Sequence, residues 1–90
     1  MYHVELSQNA QRFLEKLDRH VKERIEERLK RLSENPIPSD AKFICRADGD
    51  KVFRFRIGDY RALYEVKENE RIVLIAKIDK RPRVYNRLEF

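Results

Sequence analysis

Arg54, Arg56 and Arg61, with Lys77, Lys80, Arg81, Arg83 and Tyr85, are the side chains in this 90-residue sequence whose types and spacing could do chemistry. Guanidinium groups present a rigid fork of donors that matches phosphate oxygens, and they stay charged at any working pH. Phosphoryl transfer can be driven by positioning and by stabilising charge on the equatorial oxygens, and cations supply both. RNA also brings its own nucleophile, a 2′-OH beside the next phosphate, so aligning the two requires neither a metal nor a covalent residue. The same cations would equally hold a nucleic-acid backbone without any reaction. The residues by themselves leave these two readings open.

Other chemistries lack their parts. There is no Gly-rich phosphate loop, no Gly-x-Ser-x-Gly elbow and no His, Cys or carboxylate spacing that would hold a metal, so no metal and no cofactor is expected. His3 and His20 are not paired by spacing and read as structural or solvated. Cys45 is the only cysteine, which excludes an intrachain disulfide; without a companion histidine it reads as a small buried hydrophobe in a reducing compartment. The net charge of +5 lies entirely in residues 41–90, where thirteen Lys/Arg face eight Asp/Glu, while residues 1–40 balance at eight of each. A basic half beside a neutral one points to a polyanionic partner. Charges among the first twenty residues exclude a signal peptide's apolar core, and no apolar run approaches the ~20 residues of a membrane span. A cytoplasmic location with no membrane partner is expected.

Residues 51–66 must position the arginines. Two runs alternating apolar and polar residues flank Gly58-Asp59, the pattern of a two-residue β-hairpin. Placing Ile57 opposite Tyr60 sets Arg56 opposite Arg61, Phe55 opposite Ala62, Arg54 opposite Leu63 and Phe53 opposite Tyr64. Phe53, Phe55, Ile57, Tyr60, Ala62 and Tyr64 then share one face, and Arg54, Arg56 and Arg61 the other. One face is a core and the other a cationic platform. Like charges directly opposite cost on the order of the ~0.2–1 kcal/mol that a good cross-strand pair contributes, and a bound phosphate chain would relieve that repulsion.

The remaining elements must cover the core face. Tyr2, Val4 and Leu6 alternate as a short strand at about 2–6, and Ser7 is placed to cap a helix bearing Ala10, Phe13, Leu14 and Leu17 at helical spacing and ending near Asp18. Val21, Ile25, Leu29 and Leu32 form the stripe of a second helix, closed by Asn35-Pro36 and Pro38. So short a link makes residues 8–34 a helical hairpin whose joint apolar face must lie on the sheet. Phe43 and Ile44 form either a brief edge strand or a cover for the core, and Asp48-Gly49-Asp50 is a turn. Residues 72–78 are almost unbroken apolar, the mark of an inner strand, after which Lys77, Asp79 and Arg81 share a parity until Pro82 ends the ladder. The expected fold is α+β: a single domain with a small antiparallel sheet from about 2–6 and 51–79, packed against an N-terminal helical hairpin, with a C-terminal arm at 80–90.

A strand, a helical hairpin, Phe53-Arg54-Phe55-Arg56, then Gly58-Asp59-Tyr60-Arg61-Ala62-Leu63-Tyr64, a late apolar strand and Lys80-Arg81-x-Arg83 before Tyr85 together resemble the RelE/ParE toxin superfamily, on its RelE side. The resemblance spans nearly the whole chain, and the Gly-Asp-Tyr-Arg-x-x-Tyr hairpin is its most specific part. It implies a toxin of a type II toxin-antitoxin system, acting as a metal-independent endoribonuclease on messenger RNA in the ribosome and bound by a cognate antitoxin in a hetero-oligomer. By position, Arg54 and Arg56 would seat the RNA backbone, Arg61 would hold the scissile phosphate, Arg81 would assist the leaving 5′ oxygen and Tyr85 would orient or deprotonate the 2′-OH. Lys77, Lys80 and Arg83 would add phosphate contacts. Arginine at 54 and 56, where the family usually has lysine, cannot serve as a general base. A ParE-like gyrase inhibitor and a non-catalytic RNA-binding module are the alternatives.

Overall fold

The computed structural model describes residues 1–80. Strand β1 (His3–Leu6) leads into helices α1 (Gln8–Glu15) and α2 (Arg19–Lys30), then a 3-10 turn (Arg31–Ser33). Strands β2 (Lys42–Ala47), β3 (Asp50–Ile57), β4 (Tyr60–Lys67) and β5 (Ile72–Lys80) follow. They form one sheet in the order β1-β5-β4-β3-β2. The expected helical hairpin is present, although α1 stops at Glu15, where the amides of Lys16 and Leu17 fold back onto Phe13 and Leu14 carbonyls.

Two features of the sheet differ from expectation. It is mixed, not purely antiparallel, because β1 pairs in parallel with β5, from His3 opposite Ile72 to Leu6 opposite Ile75. A parallel neighbour needs a long crossover, and here the helices and three strands intervene, a pairing that local patterns do not report. Residues 42–47 are a full edge strand, kinked by a bulge between Phe43 and Cys45. Its type of turn explains the pairing: Asp48 and Gly49 both adopt positive φ, as a two-residue type I′ hairpin demands.

The core lies between the helices and one sheet face. Ala10, Leu14, Ile25, Leu29 and Leu32 meet Phe53, Phe55, Ile57, Ala62, Tyr64, Val66, Val73, Ile75 and Ile78, all buried. Tyr64 is fully enclosed; it stacks on Phe53 and meets Phe55 edge-on, with ring centroids 5.7 and 5.5 Å away. Its hydroxyl donates to the Pro36 carbonyl at 2.7 Å, tying the segment after the helices to the sheet. No helix among the described residues is long and apolar enough to cross a membrane.

Ser7 joins helix to sheet at a second bulge. Its hydroxyl accepts from the Ala10 amide at 3.0 Å, capping α1 as expected, and donates to the Ala76 carbonyl at 2.7 Å. Ala76 is the extra residue of β5, since Leu63 pairs with Lys77 while Tyr64 pairs with Ile75. The Ser7 hydroxyl thus satisfies a carbonyl that the ladder skips. Because of the extra residue, Val73, Ile75 and Ile78 all reach the core, while Lys77 and Asp79 turn to the opposite face.

Candidate functional site

The sheet face away from the helices carries the charged rows. The β3–β4 register is the expected one, with Ile57 opposite Tyr60, Arg56 opposite Arg61 and Arg54 opposite Leu63. Gly58 supplies the positive φ, +61°, at the first central turn position, the mark of a type II′ hairpin. The Arg24 guanidinium of α2 reaches this turn, 3.5 Å from where a Cβ on Gly58 would stand.

Register across the whole sheet orders the open face into rows. Nearest the hairpin tip, Arg56, Arg61 and Asp79 are neighbours; next come Lys42, Arg54, Leu63 and Lys77. Below them lie Cys45, Val52, Glu65 and Leu74, with Glu5 on β1 beyond. Cations therefore gather at the tip end. Toward the other end Glu65 and Asp50 share Lys67, whose Nζ lies 3.5 and 3.1 Å from their carboxylates. The hydrogen bond to Asp50 is the main reason that the Lys67 ammonium titrates above its usual range, with the nearby Asp50 and Glu65 charges reinforcing it against partial desolvation.

The platform differs from a purely repulsive one. Arg61 has Arg56 on one side but Asp79 on the other, and Arg61 is only 9% exposed. Lys77 also lies 3.4 Å from Asp79. Asp79 reaches this row through the Ala76 bulge, which no periodicity in the sequence announces. Arg56 is exposed and Arg54 half-buried, so both present a guanidinium beside the enclosed Arg61.

Of the expected site residues, the fold brings Arg54, Arg56, Arg61 and Lys77 onto one face. Lys80 pairs with Tyr60 and takes the opposite face, that of the helices, where it is exposed. Arg81, Arg83 and Tyr85, with residues 81–90 of the expected arm, lie outside the described residues. Lys42 and Asp79 share the face but were absent from the expected set, because both depend on bulged registers. Cys45 is exposed on the edge strand, not buried: the register that runs back from the 48–49 turn sets it opposite Val52 on the open face at the sheet's rim. His3 and His20 are exposed. The hairpin tyrosines point away from the arginines; Tyr60 packs edge-on against Phe13, 6.0 Å between centroids. Burial, reinforced by the Asp40 charge, pushes the Tyr64 phenol far above its usual range, so it stays protonated.

A helical hairpin on one face of a small sheet, with cations massed at one end of the other face, defines the class of α+β domain to which this chain belongs. Over residues 4–85 the chain matches the family described as the ParE toxin of the type II toxin-antitoxin system parDE. It is 34% identical over 85 residues to the protein called toxin RelE1 of Methanocaldococcus jannaschii, covering 93% of this chain and 94% of that one. The RelE–RelB complex from Pyrococcus horikoshii OT3 has a chain of the same fold, with a TM-score of 0.82 and 26% identity over 92% of this chain and 98% of that one. The toxin-antitoxin complex RelBE2 of Mycobacterium tuberculosis follows, with a TM-score of 0.74 and 30% identity over 89% of this chain and 98% of that one. The chain belongs to the RelE/ParE toxin superfamily, and within it is RelE-like.

Proposed function

We propose that this chain is the toxin of a RelBE-type pair and that it acts in the cytoplasm as a ribosome-dependent endoribonuclease. The observation that supports this most is the gathering of Arg54, Arg56, Arg61 and Lys77 at one end of the sheet face that the helices leave open. In the reaction, the 2′ oxygen forms a bond to the adjacent phosphorus and the bond to the 5′ oxygen breaks. The 2′-OH proton passes to a base, the 5′ oxygen gains a proton, and the products are a 2′,3′-cyclic phosphate and a 5′-OH end.

Arg61 holds the scissile phosphate from a buried setting, where its charge is less screened than on an open surface. Arg54 and Arg56 seat the flanking backbone, and Lys77 and Arg83 add contacts; Lys80, on the helix side of the sheet, takes no part. Arg81 steadies the leaving oxygen. Tyr85 orients or deprotonates the 2′-OH, a phenol being able to donate or accept a proton at the attacking oxygen. Loss of one such contact costs on the order of 10²–10³ in rate. The test is Arg81→Ala on programmed ribosomes, with thermal stability checked: a marked loss of cleavage is expected, and undiminished cleavage would overturn the assignment.

The partner is a cognate antitoxin, as in the RelE–RelB and RelBE complexes of the relatives. A groove of about 580 Å³ between β1 and α2, floored by Val4, Leu6 and Leu29 and walled by Glu23, Glu26 and Glu27 with Lys30, suits an apolar segment carrying basic residues. Hydrogen exchange on the complex checks it, with protection expected in β1 and α2. Protection confined to surfaces remote from the helices and residues 81–90 would rule this geometry out. The ParE description of the matched family supports a second reading, gyrase inhibition. Supercoiling assays beside ribosome-cleavage assays separate the two.

A further inference from the structure

We infer that Lys42 is a further RNA-positioning residue, and that the bound strand runs across the sheet, from β5 to the β2 edge, in place of following the direction of any strand. This rests on the RNA reading above. Lys42 stands directly opposite Arg54, Arg54 opposite Leu63 and Leu63 opposite Lys77, so one row crosses four strands with a cation at each end. Three interstrand gaps of about 4.8 Å each separate the two lysines by roughly 14 Å at the backbone, more than one phosphate can bridge. The parallel row holds Arg56 and Arg61.

Charge decides the direction. A strand running along β3 and β4 would leave the tip and meet uncharged Val52, then Glu65 and Asp50, two carboxylates around one ammonium. A strand running across stays among Arg54, Arg56, Arg61, Lys77 and Lys42. Toward β5 it meets Asp79, but that carboxylate already faces Lys77 at 3.4 Å. Lys42 is exposed, so its ammonium costs little desolvation on meeting a phosphate.

An edge-strand lysine can also serve only to keep the edge from pairing with another chain, and the two roles separate in salt dependence. The probe is a fluorescently labelled single-stranded RNA with 2′-O-methyl sugars, which cannot be cleaved, titrated with the full chain at several KCl concentrations. Lys42→Gln is expected to weaken binding and to reduce the slope of log K against log salt by about 0.7, one phosphate contact on a single strand. Lys42→Arg should restore the slope. Lys51→Gln, on the opposite parity of β3, should leave it unchanged. An unchanged slope in Lys42→Gln, or an equal fall in Lys51→Gln, overturns the inference. Wild-type activity on programmed ribosomes is measured in parallel: its absence counts against the ribonuclease reading, whereas cleavage with an unaltered Lys42 slope counts against the cross-sheet path alone.

Discussion

Ser7→Ala tests how the fold holds its basic sheet face. The substitution removes two hydrogen bonds made by one hydroxyl, to the Ala10 amide at 3.0 Å and to the Ala76 carbonyl at 2.7 Å. Loss of a helix N-cap costs about 1 kcal/mol. Losing the second bond leaves a part-buried carbonyl without its partner, for about 0.5–1 kcal/mol more once water's partial access is allowed for. The sum, roughly 1.5–2 kcal/mol, lowers the melting temperature of a domain this small by roughly 6–16 °C. Asp18→Ala is the contrast, because Asp18 stands at the N-cap of α2 but makes no capping hydrogen bond. It loses at most the ~0.3–1 kcal/mol of a carboxylate near a helix N-terminus. Urea unfolding of both variants measures the difference. At a temperature where both are folded, Ser7→Ala should also slow RNA cleavage, since the bulge it braces turns Lys77 and Asp79 to the open face; Asp18→Ala should not. A Ser7→Ala penalty below about 0.5 kcal/mol, or one no larger than that of Asp18→Ala, refutes the reasoning.

Tyr64→Phe should cost about 1 kcal/mol by removing the bond to the Pro36 carbonyl. It should also flatten the alkaline limb of stability: the folded phenol's pKa is raised, so its contribution is whole below the unfolded value of about 10 and is lost as pH rises beyond it. Urea unfolding between pH 8 and 11 reads both effects, with the share of Lys67, raised in the same direction, left in place. Gly58→Ala should destabilise by about 1–2 kcal/mol, because the turn holds φ at +61°, and thermal melts check it. Cys45 should react with a thiol reagent in the native state at a rate insensitive to low urea, as an exposed edge-strand cysteine must. Arg56→Gln should lower cleavage on programmed ribosomes while leaving the melting temperature within a few degrees, as Arg56 is exposed.

The central hairpin was legible residue by residue. Alternation from Phe53 to Ile57 and from Tyr60 to Tyr64 sets which side chains share a face, and a two-residue turn around Gly58 leaves one register, so Arg56 opposite Arg61 follows from local chemistry alone. Ser7 as a cap, the two helical stripes and β5 as an inner strand were equally local, since each depends on periods of two or 3.6 and on neighbouring residues. Tertiary structure decided what depends on distant partners or on a skipped residue. The parallel pairing of β1 with β5 joins residues about three-quarters of the chain apart, and nothing in either strand names the other. The bulges at Ile44 and Ala76 each shift one strand by a single residue, and in a structure of period two that shift changes which face a side chain serves. That is why Asp79 came to lie beside Arg61 and why Lys42 joined the basic row, whereas Cys45 is exposed because the sheet ends at β2, with no strand beyond it.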